Sequence, residues 1–320
     1  MNVRRFLVCI PLAALFALAS LRTADAKWVW TSETGLVDTD EYSVGDPQEL
    51  FDEATTLMTE GKFSDAATEF LRIAEYTPDP QYKERSLFMA GEAFFKDERY
   101  HRAYLCYEEY LYNYPRTDKL RDALRGEVEC GFKMMDGAKK EFLGVAILPG
   151  GSFGEQIVKD VLKKYPYEEF SEEANFRLAS YYFTKGEYEE AEMEYDLFLQ
   201  AYPDSAWTPT AEFRKGLANI GRHAGAEYDA SSLENAKRDF EEYVAKNPHG
   251  DKVREAAEQL EVIAERLAEK EYEIGIFYHK REKRDSAVFY MESVVRDYPQ
   301  TSWAQKAKDF IESLKNEKQE

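Results

Sequence analysis

Catalytic chemistry in this chain would have to be assembled from sparse parts. The four histidines, His101, His223, His249 and His279, fall in a repeat turn, a loop insert, a helix-breaking turn and a helix, with no spacing that suggests a shared site. A hydrolase needs a nucleophile, a base and an orienting group that converge, and no such grouping can be read here. There is no HExxH metal helix and no CxxC knuckle, and Gly150-Gly151-Ser152-Phe153-Gly154 lacks both the lysine and the preceding strand of a phosphate-binding loop. The acidic run Glu187 to Glu194 reads as a solvated helix face rather than an acid–base pair. Cys106 and Cys130 lie in apolar helical stretches, where they act as small buried hydrophobes or form a single bridge. The sequence therefore predicts no enzyme, no cofactor and no metal. It directs attention to surfaces that bind protein.

The elements that present such surfaces follow from a repeat. Counting Pro47 as position 1, Leu50, Ala54, Leu57, Ala66, Phe70 and Pro78 fall at positions 4, 8, 11, 20, 24 and 32. From Glu84 the same offsets give Leu87, Gly91, Phe94, Ala103, Tyr107 and Pro115. From Glu172 they give Ala179, Tyr182, Ala191, Tyr195 and Pro203, and from Ala268 Gly275, Tyr278, Ala287, Met291 and Pro299. A period of about 34 residues with small and aromatic residues at set offsets is that of tetratricopeptide helix-turn-helix units. Small residues at positions 8 and 20 let paired helices approach, large ones at 11 and 24 fill the space left, and the proline stops the second helix. Asp46-Pro47 with Glu49 reads as a helix start, and Ser171 as the cap of the third copy. The expected fold is all-α, an α-solenoid of about five to six such repeats.

Two stretches depart from the pattern. A fifth repeat between Ala211 and Pro248 carries about seven extra residues, placing an exposed loop around Gly221 to Ser232. Residues 119–166 form a degenerate unit, with helices near Leu120–Met135 and Phe153–Tyr165 joined by the apolar, glycine-bounded run from Phe142 to Gly151. That join either touches a partner or membrane or packs back on the repeats. The expected organisation is a signal peptide over 1–26, an irregular leader over 27–46, two repeats over 47–118, the degenerate unit over 119–166, further repeats over 167–314 and a charged tail over 315–320.

Arg4 and Arg5 precede an apolar run and the small-residue site Ala24-Asp25-Ala26, which reads as a cleaved export signal. Its loss removes Arg4, Arg5, Arg22 and Asp25, so the formal charge of −20 becomes about −22. Such a field repels phosphate backbones and anionic headgroups, so nucleic-acid partners are not expected and membrane contact is expected to be indirect or weak. Val8 before Cys9 departs from a lipobox, so the export signal predicts a periplasmic protein without a lipid anchor.

The stretch from Ala236 to Thr301 resembles the BamD family of outer-membrane protein assembly factors. The resemblance is carried by Ala236-Lys237-Arg238-Asp239-Phe240, by Glu265-Arg266-Leu267-Ala268-Glu269-Lys270-Glu271-Tyr272, by Phe277-Tyr278 and by Val295-Arg296-Asp297-Tyr298-Pro299-Gln300-Thr301. It covers residues 167–314 well and the first two repeats only generically. It implies a periplasmic scaffold that docks on a BamA-like barrel subunit and helps deliver unfolded outer-membrane protein segments, with Arg266 at the barrel contact. Alternatives are a Tol-associated coordinator and an accessory subunit of a cell-envelope enzyme.

A second set of candidates comes from the general geometry of such arrays, in which position 5 and position 12 of each first helix face the concave side. Position 5 reads Phe51, Phe88, Phe176 and Tyr272; position 12 reads Met58, Phe95, Phe183 and His279. This aromatic ladder either binds an extended, aromatic-rich chain or packs between successive repeats.

Overall fold

The structure, a computed structural model, describes residues 28–31, 35–38, 46–142, 145–223 and 230–316. The export signal and residues 224–229 of the insert lie outside them. They fall into two compact units, one up to Val161 and one from Leu162 onward.

The first unit holds α1 (Pro47–Thr59), α2 (Phe63–Tyr76), α3 (Pro80–Lys96), α4 (Tyr100–Asn113), α5 (Leu120–Met135) and most of α6 (Gly151–Lys164). The second holds α7 (Glu169–Lys185), α8 (Tyr188–Ala201), α9 (Thr208–His223), α10 (Ser231–Lys246), α11 (Val253–Lys280), α12 (Arg284–Asp297) and α13 (Ser302–Asn316). Within each unit consecutive helices pack in pairs, so the packed body is all-α. Two antiparallel hairpins are the exceptions: β1 (Trp28–Thr31) with β2 (Gly35–Asp38), and β3 (Lys139–Phe142) with β4 (Val145–Pro149).

The repeat spacing translates directly into contacts. Ala54, Ala66, Ala103, Ala179, Ala191 and Ala287 are fully buried, as are Phe70, Tyr195 and Met291 at position 24. Where position 8 is glycine, the position-24 side chain occupies the vacated space. A Cβ on Gly91 would sit 2.7 Å from the Tyr107 ring, and one on Gly275 2.7 Å from the Met291 methyl. The prolines set the helix ends uniformly: α2, α4, α8, α10 and α12 stop at Tyr76, Asn113, Ala201, Lys246 and Asp297, each two residues before Pro78, Pro115, Pro203, Pro248 or Pro299. A proline disfavours helical backbone in the residue before it and supplies no amide, so the helix closes there.

Five sequence expectations change. Ser171 does not cap α7; it sits inside the first turn, fully buried, and its Oγ donates to the Tyr165 carbonyl at 2.7 Å. The leader is not irregular where it is described, since β1 and β2 pair across it. The insert is shorter than expected, because α9 runs on to His223 and α10 begins at Ser231. The repeat beginning at Ala268 has no helix start there: α11 is continuous from Val253, with Ala256, Ile263 and Leu267 buried against α10 and its neighbours before Ala268 and Gly275 meet α12. No proline interrupts Val253 to Lys280, and an apolar stripe continues through it, so nothing stops the helix. The apolar join is the β3–β4 hairpin, so a strand does precede Gly150-Gly151-Ser152-Phe153-Gly154, contrary to expectation, while the lysine of a phosphate-binding loop is missing there. Cys106 and Cys130 are free and buried, and burial pushes the Cys106 thiol up to about 12.

Candidate functional site

The expected ladder is present as a set of rings, each already in contact within the fold. Phe51 is only 7% exposed and lies edge-on to Phe70 of its own repeat and Tyr82 of the next, with the Arg85 guanidinium 4.3 Å from its ring centre. Phe88 packs on Tyr107 and Tyr110 with the Lys119 ammonium at 5.8 Å, and Phe95 meets Tyr100. Phe176 contacts Tyr195 and Phe198, stacks on Trp207 and lies 5.5 Å from the Arg214 guanidinium. Phe183 meets Tyr188 and Tyr195. Tyr272 packs on Trp303 and Phe310 of α13, and His279 also meets Phe310. Apart from Phe51 these side chains are half-buried. A half-covered ring held by its own second helix, and in several cases by a cation from the following helix, links neighbouring elements.

Arg266 has a different setting. It is exposed on α11 and takes part in no ion pair among the described residues, not even with Glu269. Stepping along α11 in threes and fours, Arg254, Glu258, Val262, Arg266, Glu269, Glu273, Phe277 and Lys280 share one exposed face. Two large apolar side chains stand on it, Val262 at 44% and Phe277 at 46% exposure. Around Phe277 the surface continues through Tyr278 at 5.5 Å, Tyr290 stacked on Tyr278 at 5.4 Å, and the exposed Phe289. Arg281 covers Phe277 from one side at 4.0 Å.

The opposite face fixes this helix. Glu265, next to Arg266, accepts from the Ser302 amide at 2.7 Å and its hydroxyl at 2.9 Å, tying α11 to the start of α13. Ile263 and Leu267 are buried in the core shared with Phe213, Phe240 and Tyr243. The α11 face is thus a pre-positioned, mixed apolar and charged surface. Phe277 was quoted in the sequence resemblance but not marked as a site residue. The signal that finds it is its place in the exposed i, i+4 series with Arg266.

A polar groove of about 520 Å³ lies between α8, α9 and α10, lined among others by Asp196, Glu212, Lys215, Asp239 and Lys246. Its charges are matched internally: Lys215 reaches Asp196 at 2.8 Å and Asp239 at 3.5 Å, Lys246 reaches Glu212 at 3.1 Å, and Asn219 donates to Asp239 at 2.8 Å. Burial lowers Lys215, but the Asp196 hydrogen bond together with the charges of Asp239, Asp196 and Glu192 outweighs it and leaves the ammonium above its ordinary value. Burial raises Asp239 more than the nearby Lys215 lowers it. This network clamps three helices together. Among the described residues no three histidine, cysteine or carboxylate side chains gather as a metal site, and no helix is long and apolar enough to cross a membrane.

The profile of the family described as YfiO, outer membrane lipoprotein, matches residues 44–124 and 154–318. The outer membrane protein assembly factor BamD of Caulobacter vibrioides is 22% identical over 161 residues, 50% of this chain and 53% of that protein. That of Rickettsia prowazekii is 25% identical over 141 residues, 44% and 56% respectively. The chain spans about half the length of the curated relatives it matches. Among solved structures, the C-terminal part of a TPR repeat-containing protein from Cytophaga hutchinsonii superposes with a TM-score of 0.41 at 15% identity, over 84% of this chain and 89% of that one. A tetratricopeptide repeat protein from Parabacteroides merdae gives 0.38 at 12% identity, over 83% and 97%.

Proposed function

Because this chain belongs to the YfiO family of outer membrane lipoproteins, we propose that it is a non-enzymatic, periplasmic scaffold of outer-membrane protein assembly that docks on a BamA-like barrel subunit through the exposed face of α11. The observation that carries this reading is the Arg266 series. A guanidinium without an internal ion pair stands between Val262 and Phe277 on a helix whose other face is locked into the core. Arginine and aromatic side chains on a rigid element are the residue types that anchor protein interfaces. The surrounding Glu258, Glu269 and Glu273 supply a charged rim. The similarity to BamD outer membrane protein assembly factors supports outer-membrane assembly as the setting. The ladder rings enter this reading as the packing that holds successive repeats in register. Delivery of unfolded barrel segments is the second part of the role.

Co-purification from the native envelope tests the reading. The barrel subunit should accompany the protein in stoichiometric amount. Recovery of Tol components instead, or of an envelope enzyme, would replace it with the corresponding alternative.

A further inference from the structure

The β3–β4 hairpin is not accounted for by the family: the matched residues stop at 124 and resume at 154. Its base is built into the first unit. Glu141 on β3, with a side chain 8% exposed, accepts from Arg99 Nε at 2.9 Å and from Arg102 Nε at 2.7 Å, both at the start of α4. A second contact lies beside this one. Lys140 places its ammonium 3.9 Å from the centre of the Phe153 ring on α6, and His101 of α4 packs on the same ring with centroids 5.6 Å apart. Tyr104, one turn further along α4, meets that ring edge-on at 5.5 Å.

His101 is buried, and among the described residues nothing hydrogen-bonds its Nδ1. A neutral imidazole tolerates this, because Nδ1 can be the ring nitrogen that carries no proton. An imidazolium is protonated on both nitrogens, so the charged ring would bury an N–H without an acceptor, which costs as much as a lost hydrogen bond. The surrounding charge adds to that cost. Burial holds His101 below its ordinary value, the Lys140 ammonium lowers it further, and Glu141 offsets them only in part. Glu141 is already engaged by the guanidiniums of Arg99 and Arg102. Elsewhere around His101, Lys133 of α5 lies 6.0 Å from the Tyr100 ring, and the carboxylates of Glu127 on α5 and Asp160 on α6 bear on the Tyr104 hydroxyl.

We propose that His101 is a pH-sensitive latch for the hairpin: while neutral it shares the Phe153 ring with Lys140, and once protonated it drives Lys140, and β3 with it, away from α6. Two cations on one partly buried ring repel each other where water screens them little. A histidine whose folded value is depressed costs the fold nothing above the unfolded value of about 6.5, and stability falls as pH drops from there through the folded value. Glu141 stays ionised at the start of that fall, because it is held below the ordinary carboxylate value. The hairpin therefore swings on an intact anchor at Arg99 and Arg102 while its contact with α6 opens.

Proton NMR of the full chain, with labelled histidine and lysine, tests the latch and needs no partner. The His101 ring should titrate below about 6.5. The Lys140 ε-methylene signal, displaced by the Phe153 ring at neutral pH, should move toward the position of a free lysine between about pH 8 and about pH 5, with the same midpoint as His101. In His101→Gln that movement should vanish, and in Lys140→Gln the His101 midpoint should rise. If His101→Gln does not fold, the wild-type titration decides alone. A His101 midpoint at or above about 6.5, a Lys140 signal that stays in place while His101 titrates, or a Lys140 shift that persists in folded His101→Gln overturns the latch. None of these outcomes touches the assembly reading, which fails separately, by loss of the barrel subunit in co-purification.

Discussion

The helix pairs α7–α8 and α5–α6 begin alike and end differently. Each first helix is followed by a glycine in the left-handed region, Gly186 at φ 78° and Gly137 at φ 113°. After Gly186 one residue intervenes before α8. After Gly137 the chain makes the β3–β4 hairpin before α6. The contacts between the helices differ accordingly. In α7–α8 the fully buried Ala179 and Ala191 lie at the close-approach positions, with Tyr195 filling the remaining space. In α5–α6 the approach is closer: a Cβ on Gly154 would lie 2.3 Å from the Gly131 carbonyl oxygen, and one on Gly131 2.8 Å from that of Gly154. The comparison teaches that a repeat can absorb a long insertion at its turn if its helices dock backbone to backbone and the insertion is tied down separately, here by Glu141.

The largest test of that difference is Gly154→Ala. The added methyl meets a backbone oxygen, which cannot move aside as a side-chain tip can, so a loss of about 3 kcal/mol is expected in chemical denaturation. In the regular pair, Ala191→Leu overpacks a side-chain contact and should cost about 2 kcal/mol, while exposed Glu189→Gln should cost close to zero. A smaller loss for Gly154→Ala than for Ala191→Leu would break the comparison.

The regular pair was legible in the sequence and the other was only half so. Alanine, aromatic and proline at fixed offsets report helix spacing directly, and α5 was bounded correctly at Leu120 and Met135. The hairpin was not visible, because Phe142 to Leu148 is a continuous apolar run without the alternation that marks a strand. Its anchor joins Glu141 to Arg99 and Arg102, about 40 positions earlier, and no local pattern reports such a pair. The long α11 was missed for a related reason: the spacing that marks a repeat says where helices meet, not where one begins. Arg266 was found by resemblance, and Phe277 becomes part of the same surface only once α11 is seen as one helix.

Glu141 sharpens the comparison next. Burial would raise its carboxyl, but the hydrogen bonds and positive charges of Arg99 and Arg102 together outweigh burial and hold it below the ordinary carboxylate value. A depressed folded value contributes stability that is present above the unfolded pKa of about 4.3 and is lost as pH falls through the folded one. Glu141→Gln should therefore cost about 1 to 2 kcal/mol at pH 7, and the difference from wild type should shrink below about pH 4. A difference that is constant between pH 7 and pH 3 would mean that the ion pairs do not hold the hairpin.

The smallest effect concerns the turns. Glu98 and Glu282, each at φ 60°, occupy the left-handed position that glycine fills at Gly61 and Gly186. A side chain is strained there, so Glu98→Gly should raise stability by about 0.5 kcal/mol, read as a higher urea midpoint. Gly186→Ala should lower it by about 1 kcal/mol. A lower midpoint for Glu98→Gly would show that the Glu98 side chain contributes more than its backbone strain costs.

The central claim is that the exposed α11 face docks the barrel subunit, and calorimetric titration of the purified chain with that subunit's periplasmic domain tests it most directly. Arg266→Ala and Phe277→Ala should each weaken binding by more than about 1 kcal/mol, roughly fivefold or more, with unchanged melting temperatures because both side chains are exposed. Binding equal to wild type in both variants would contradict the account.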